Sequence, residues 1–508
     1  MVAEPRIVEN STRSGEVRSL SYDAAMARTE LLIGGEWVEG RSDQALPVHS
    51  PASGEHLADV SRAAAPDVEA AVAAARQAQV VLEAMPPFER ADLLHRVADN
   101  LDAKAEELAR QLTSEQGKPI ATEARGEIEE SAEIFRWAAE EVKRLETPVL
   151  PGADPNKKVL TFRRANGVYA VITPWNFPMN IPAELLAPGL GGGNAVILKP
   201  SEFTPLTGAA LVEACHDAGF PPGAISLLQG GGDVGGALVG HDGVDAVAFV
   251  GSMETADRIV RTAGLKRTLI EASGNGPQVV CDDADLEAAA EAAVYGAEFA
   301  SGQCCVATER LLVQESVHDE LRELLIARAA RVVLGDPHEE ATTLGPLNNE
   351  PVAAKMDRHL ADAADRGYEV LVGGTRAEGW PTDLYYPLTI VDGVGAEGLL
   401  FTDESFGPVV PITTFRDDDE AIALANSSPL GLQAAVFTSS LTRSFRYIDR
   451  LRAGTVIVND STCFWEPHPP FGGASGTKTG WGRIGGKYTL LDMTDLRAAV
   501  IDVSKTRG

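Results

Sequence analysis

Two open α/β units in tandem, each a parallel sheet covered on both faces by helices, are what this chain predicts. Three observations carry the prediction. Short apolar runs with β-branched members alternate with segments of helical periodicity between residues 168 and 250. The alternation starts again near Pro277 and continues to Asn459. And 508 residues, 44% of them hydrophobic, exceed what one core ordinarily organises.

The elements follow in order. Apolar positions at helical spacing, opposite charged faces, predict helices over 65–75, 89–111 and 125–145. Val-Tyr-Ala-Val-Ile over 168–172 predicts a buried strand ended by Thr173-Pro174. A second strand over 195–198 stops at Lys199-Pro200 and leads into a helix over 207–218. A third, 225–228, is broken by Gly230-Gly231-Gly232, and a fourth, 246–250, ends at Gly251-Ser252. The second half predicts strands over 278–281, 311–314, 411–415, 434–438 and 455–459. Helices over 286–299, 318–333, 351–366, 418–426 and 440–451 lie between them. The pieces 160–164 and 496–503 look extended, lie outside either half, and suit pairing with another subunit. Residues 1–30 are polar and read as an arm, without the apolar stretch of a secretory signal.

Composition excludes several classes. With 44 basic and 74 acidic side chains the net charge is -30, which repels a phosphate backbone, so nucleic acid is not an expected partner. No long apolar window predicts a membrane span. The five cysteines are odd in number and form no C-x-x-C pair, which argues against a disulfide framework or a zinc site and for the reducing cytoplasm.

Five places could carry chemistry. Gly302-Gln303-Cys304-Cys305 follows an Ala-rich helix; a nucleophilic thiolate fits there, and so do two small buried hydrophobes. Glu271 ends a β-type run, where open sheets place their sites, and reads as a general base or as a solvated carboxylate. Pro174-Trp175-Asn176-Phe177-Pro178 fixes an amide that either donates to an oxyanion or makes a structural turn. Lys199 and Glu202 either read ribose hydroxyls or form a surface ion pair. The glycine-rich turns at Gly232 and Gly251-Ser252 admit phosphates to the backbone, although the ordinary G-x-G-x-x-G spacing is missing.

Taken together and in this order, PWNFP, KPSE, FVGS, a Glu 34 residues before the cysteine, GQCC, Glu404-Ser405-Phe406-Gly407-Pro408, Asn459 and Pro470-Phe471-Gly472-Gly473 resemble the aldehyde dehydrogenase superfamily, from about Leu32 to Val503. The resemblance implies Cys305 as nucleophile, Glu271 as base for the deacylating water, and Asn176 with the Cys305 N–H as oxyanion hole. It implies cofactor contacts from Lys199, Glu202, Thr173, Trp175, Gly232, Gly251, Ser252, Glu404 and Phe406. It further implies a Rossmann-like dinucleotide domain (31–144 with 167–272), a catalytic domain (273–477) and a β-arm (145–166 with 487–505) that assembles a homodimer or homotetramer. NAD is expected from Glu202, whose carboxylate repels a 2′-phosphate, with NADP left open.

Two departures stand out. The usual Glu-Leu-Gly-Gly is Glu271-Ala272-Ser273-Gly274, and the carboxylate many members carry near the C-terminus is Ile484. Glu271 favours hydrolysis over transfer to CoA, the alternative being a CoA-acylating semialdehyde dehydrogenase. Phe177, Asn180, Ile181, Trp465 and Phe471 are expected to contact substrate, with Trp175, Glu184, Phe299 and Cys463 beside them. This wall favours an uncharged aromatic or medium aliphatic aldehyde. Small anionic aldehydes (phosphono, phospho or semialdehyde) stay open through an arginine such as Arg125.

Overall fold

The structure, a computed structural model, describes residues 27–505. The expected arm over 1–30 therefore lies almost wholly outside the described residues. Two parallel sheets form the body. The first runs, in spatial order, Gly480–Trp481, Arg267–Ala272, Ala246–Gly251, Val168–Ile172, Ala195–Lys199, Ile225–Leu227, Leu31–Ile33 and Glu36–Val38. Its five central strands are parallel, and the flanking short ones antiparallel. Val168–Ile172 and Ala195–Lys199 are buried at every position, which is why they read as unbroken apolar runs. The second sheet orders Glu369–Val372, Thr389–Asp392, Val409–Phe415, Thr308–Gln314, Gly276–Val280, Gln433–Phe437 and Thr455–Val458, antiparallel only at its first pair. The chain passes from one sheet to the other within residues 273–275.

Most helices fall where periodicity predicts them, with two differences. The segment 89–111 is two helices, Pro87–Ala103 and Ala105–Gln116, broken at Lys104 (φ -116°, ψ 14°). A π-helical turn, Ile120–Ala124, precedes the helix Arg125–Lys143. The two extended pieces outside the sheets pair with each other: Thr494–Asp502 lies antiparallel to Lys157–Ala165, Thr494 opposite Ala165 and Asp502 opposite Lys157. Val149–Leu150 completes this three-stranded sheet. No helix among the described residues is long and apolar enough to cross a membrane.

Candidate active site

The first sheet sets the geometry. From Val168–Ile172 the chain steps outward to Ala195–Lys199 and Ile225–Leu227, then returns to lay Ala246–Gly251 on the other side of its starting strand. That reversal opens a crevice between the carboxyl ends of the two strands. Thr173 stands at one lip with its hydroxyl buried and unpartnered. Ser252 stands at the other and caps the helix Met253–Ala263, its Oγ accepting from the Thr255 N–H at 3.4 Å. Gly251 closes its strand, and Gly232 opens the helix Gly232–Gly240, so two helix N-termini follow the strand ends. Lys199 is buried, which lowers its ammonium pKa, and its Nζ lies 3.3 Å from the half-exposed Glu202 carboxylate.

Glu271 lies near the end of the neighbouring strand, buried, with Oε1 unpartnered. Burial first, then the charges of Glu404 and Cys304, hold its carboxyl well above the usual range. The turn beyond it touches the cysteine loop. A Cβ on Gly274 would stand 1.8 Å from the Cys305 carbonyl oxygen, so only glycine fits. The Gly274 N–H donates to Glu404 at 2.9 Å.

The cysteine loop follows the helix Leu286–Glu298. Ala300 and Ser301 are left-handed (φ 52° and 54°), and the Ala300 N–H donates to buried Glu123 at 3.0 Å. Gly302 packs where a Cβ would stand 2.0 Å from the Gly407 carbonyl. Gln303 ties the loop down by donating to the Ala300 carbonyl (2.9 Å) and accepting from the Asn348 N–H (2.8 Å). Its own carbonyl accepts from Asn176 Nδ2 at 2.9 Å, which places that amide within two residues of Cys305 and leaves its second N–H for another acceptor. Cys305 is half-buried while Cys304 is buried behind it. The Cys304 contact, burial and the Glu271 and Glu404 carboxylates together push the Cys305 thiol up.

Cys305 and Glu271 both open on a cavity of about 640 Å³. Phe177, Ile181, Phe299, Trp465, Phe471 and Ile484 supply its apolar wall. Asn180, Glu184 and Cys463 line it as well. Trp175 does not: it packs against the second sheet's core and meets Phe406 edge to face at 5.6 Å. Phe406 is itself left-handed (φ 57°), and its N–H and that of Ser405 each donate to buried Glu309 at 2.8 Å. Arg125 stays outside the cavity, bound to Glu106 and Glu340 at 2.9 Å each, so the cation proposed for anionic aldehydes is absent from this wall. Among the described lining residues there is no Lys, Arg or His.

Sequence reasoning missed the supports. Glu123, Glu127 and Glu130 recur at helical spacing, and each reaches the site. Glu123 holds Ala300; Glu127 accepts from the Met179 and Asn180 N–H groups (3.0 and 3.2 Å); Glu130 accepts from Asn180 Nδ2 (2.8 Å). Three acids on one helical stripe were the available signal.

Residues 37–499 match the model of the aldehyde dehydrogenase family. The chain belongs to that family. It is 36% identical to a glutarate-semialdehyde dehydrogenase of Pseudomonas putida over 95% of this chain and 99% of the relative. It is 38% identical to a benzaldehyde dehydrogenase [NAD(+)] of Pseudomonas putida, over 90% and 93% of the two chains. The crystal structure of an NAD-dependent aldehyde dehydrogenase from Sinorhizobium meliloti superposes with a TM-score of 0.91 at 36% identity, covering 95% of this chain and 96% of that one.

Proposed function

We propose that this chain oxidises an aromatic or medium aliphatic aldehyde without negative charge to the carboxylic acid, using NAD and a thioester on Cys305. The observation that carries the reading is the convergence of Asn176, Glu271 and Cys305, from three distant segments, beside a mostly apolar cavity without a cation among its described lining residues.

The residues at the crevice fit a dinucleotide. Lys199 and Glu202 would hold the adenosine ribose, Glu202 disfavouring a 2′-phosphate. Thr173, with its unpartnered hydroxyl, Gly232, Gly251 and Ser252 would line the pyrophosphate, and Glu404 the nicotinamide ribose, with Trp175 and Phe406 beside the ring. Bound there, the cofactor supplies the hydride acceptor. We assign this role to 31–144 with 167–272, catalysis to 273–477, and homo-oligomer contacts to 145–166 with 487–505, in a cytoplasmic enzyme.

The chain's own groups do the rest. The Cys305 thiol must give up its proton before the sulfur attacks the aldehyde carbon, since the thiolate is the nucleophile. The free N–H of Asn176 and the Cys305 N–H then hold the oxyanion. Once the substrate carbon is oxidised to the thioester, Glu271 takes a proton from water, the water oxygen bonds to the acyl carbon, and the thiolate leaves. Burial raises the Glu271 carboxyl, which makes it a stronger acceptor for the water proton than an exposed acid.

The test is NADH formation across benzaldehyde and C4–C8 alkanals, with NAD and NADP in parallel and no CoA, on wild type and Cys305→Ser. Turnover with NAD that vanishes in Cys305→Ser is the expected result. An absolute requirement for CoA, or undiminished activity without the thiol, would overturn the reading.

A further inference from the structure

Of the acids in the cavity wall that have no part in the chemistry above, Glu130 and Glu184 stand together. Glu130 and Glu184 project from neighbouring packed helices, Arg125–Lys143 and Asn180–Gly191. Asn180 and Glu184 are one helical turn apart and so share a face. Glu130 accepts from Asn180 Nδ2 at 2.8 Å. Glu184 is 3% exposed, lines the cavity, and its Oε1 has no hydrogen-bond partner. A buried carboxyl oxygen left without a donor is costly unless a ligand supplies one.

Among the described lining residues no Lys, Arg or His stands beside these carboxyls. The charge of Lys118 reaches Glu130, but its Nζ is 2.6 Å from Glu127 and lies 3.3 Å from the centre of the Phe177 ring. Glu127 in turn is occupied by Lys118 and two backbone N–H groups. Burial, then the neighbouring Glu127 charge, pushes Glu130 up to about 7, and burial, then Glu130, raises Glu184 well above the carboxylate range, so burial and like charge make both acids hold their protons more tightly than exposed carboxyls do.

We infer that the Glu130–Glu184 carboxyls with Asn180 form a receptor for the tail of the substrate, and that the tail is an amino group: the enzyme's preferred aldehydes are ω-aminoaldehydes. The inference rests on the proposed aldehyde oxidation and specifies its substrate. An ammonium brings several N–H donors and a positive charge to this acid pair, including the Glu184 Oε1 that has no donor of its own. A carboxylate tail meets the opposite: the Glu130–Glu184 acids, no cation among the described lining residues, and a chain of net charge -30 that repels anions during approach. The glutarate-semialdehyde relative is named for a carboxylate-tailed aldehyde; this wall is built for the other sign.

The experiment compares kcat/KM for ω-aminoaldehydes of three to six carbons, the n-alkanals isosteric with them, and the matching ω-carboxyaldehydes. At least one aminoaldehyde is expected to exceed its isosteric alkanal tenfold or more, with the carboxyaldehydes tenfold or more below the alkanals. In Glu184→Gln the amino-to-alkanal ratio should fall to within about threefold of one. Should that variant not fold, wild type inhibited at least tenfold more tightly by n-alkylamines than by n-alkanols of equal length gives the same answer. Carboxyaldehydes as the best substrates, or an amino-to-alkanal ratio near one in wild type, overturns the inference while leaving aldehyde oxidation intact. Failure to oxidise any member of the series overturns both.

Discussion

Replacing Gly274 by alanine tests the geometry most directly. The added Cβ would lie 1.8 Å from the Cys305 carbonyl oxygen and 3.0 Å from its carbonyl carbon, both backbone atoms that no rotamer change can move. Since real Cβ contacts do not fall under 3.0 Å, the turn and the cysteine loop must part by more than 1 Å. The loop has little room to comply, because Gly302 is pressed against the Gly407 carbonyl and Gln303 is bonded on both sides of its amide. The strain therefore falls on the spacing between Glu271 and the Cys305 sulfur. A misplacement of about 1 Å at reacting groups costs on the order of 10²-fold in rate. Gly274→Ala should thus lower kcat/KM by about 10²-fold or more, measured as initial NADH formation, while the far-UV circular dichroism stays near wild type. Wild-type kcat/KM in a folded Gly274→Ala enzyme would refute the claim that this turn sets the distance between thiol and base.

Asn176→Ala should cost about 10²–10³-fold in kcat, the usual effect of removing one oxyanion donor, read by steady-state kinetics. Lys118→Met leaves the Glu127 carboxylate buried without its cation and should destabilise the chain by about 3–5 kcal/mol in urea titrations. Stability should decline as pH rises from about 5 to about 8. Burial lifts Glu115 to about 7 and Glu123 and Glu309 to about 8, so the folded state holds protons that the unfolded chain releases near 4.5. Urea midpoints measured across that interval in wild type and Glu115→Gln should show a shallower decline in the variant; no decline in wild type would sink the argument.

Strands such as Val168–Ile172, Ala195–Lys199 and Gln433–Phe437 were legible because burial on two faces leaves an apolar run that little else produces, whereas the short strands Leu31–Ile33, Glu369–Val372 and Thr389–Asp392 were not singled out. The break at Lys104 was not, since Glu89 to Gln111 keeps its apolar spacing straight through it. Cys305, Asn176 and Glu271 could be singled out as residue types at loop and strand ends, yet their convergence depends on contacts between separate elements, Asn176 reaching Gln303 across 127 residues and the turn after Glu271 meeting Cys305. Glu123, Glu127 and Glu309 stayed hidden for a different reason. An acid that accepts from backbone N–H groups is marked at most by its spacing, as Glu123 and Glu127 are on one helical stripe, and its partners emerge only in the finished fold. Arg125 misled in the opposite way: its charge was plain in the sequence, but Glu106 and Glu340 claim it at the surface.

Among the described residues, every non-glycine with a left-handed backbone (Ser273, Ala300, Ser301, Phe406 and Asn459) borders the cavity or the loops that carry Glu271, Cys305 and Glu404. Such backbone costs roughly 1–3 kcal/mol per residue and survives only where the surroundings enforce it. A campaign to make this enzyme heat-resistant would be drawn to these positions, because glycine there promises relief. The yield would be a tougher protein with a slacker catalytic loop. Gains without that penalty should be sought in the exposed helices remote from the crevice, where a substitution leaves the spacing of thiol and carboxylate untouched.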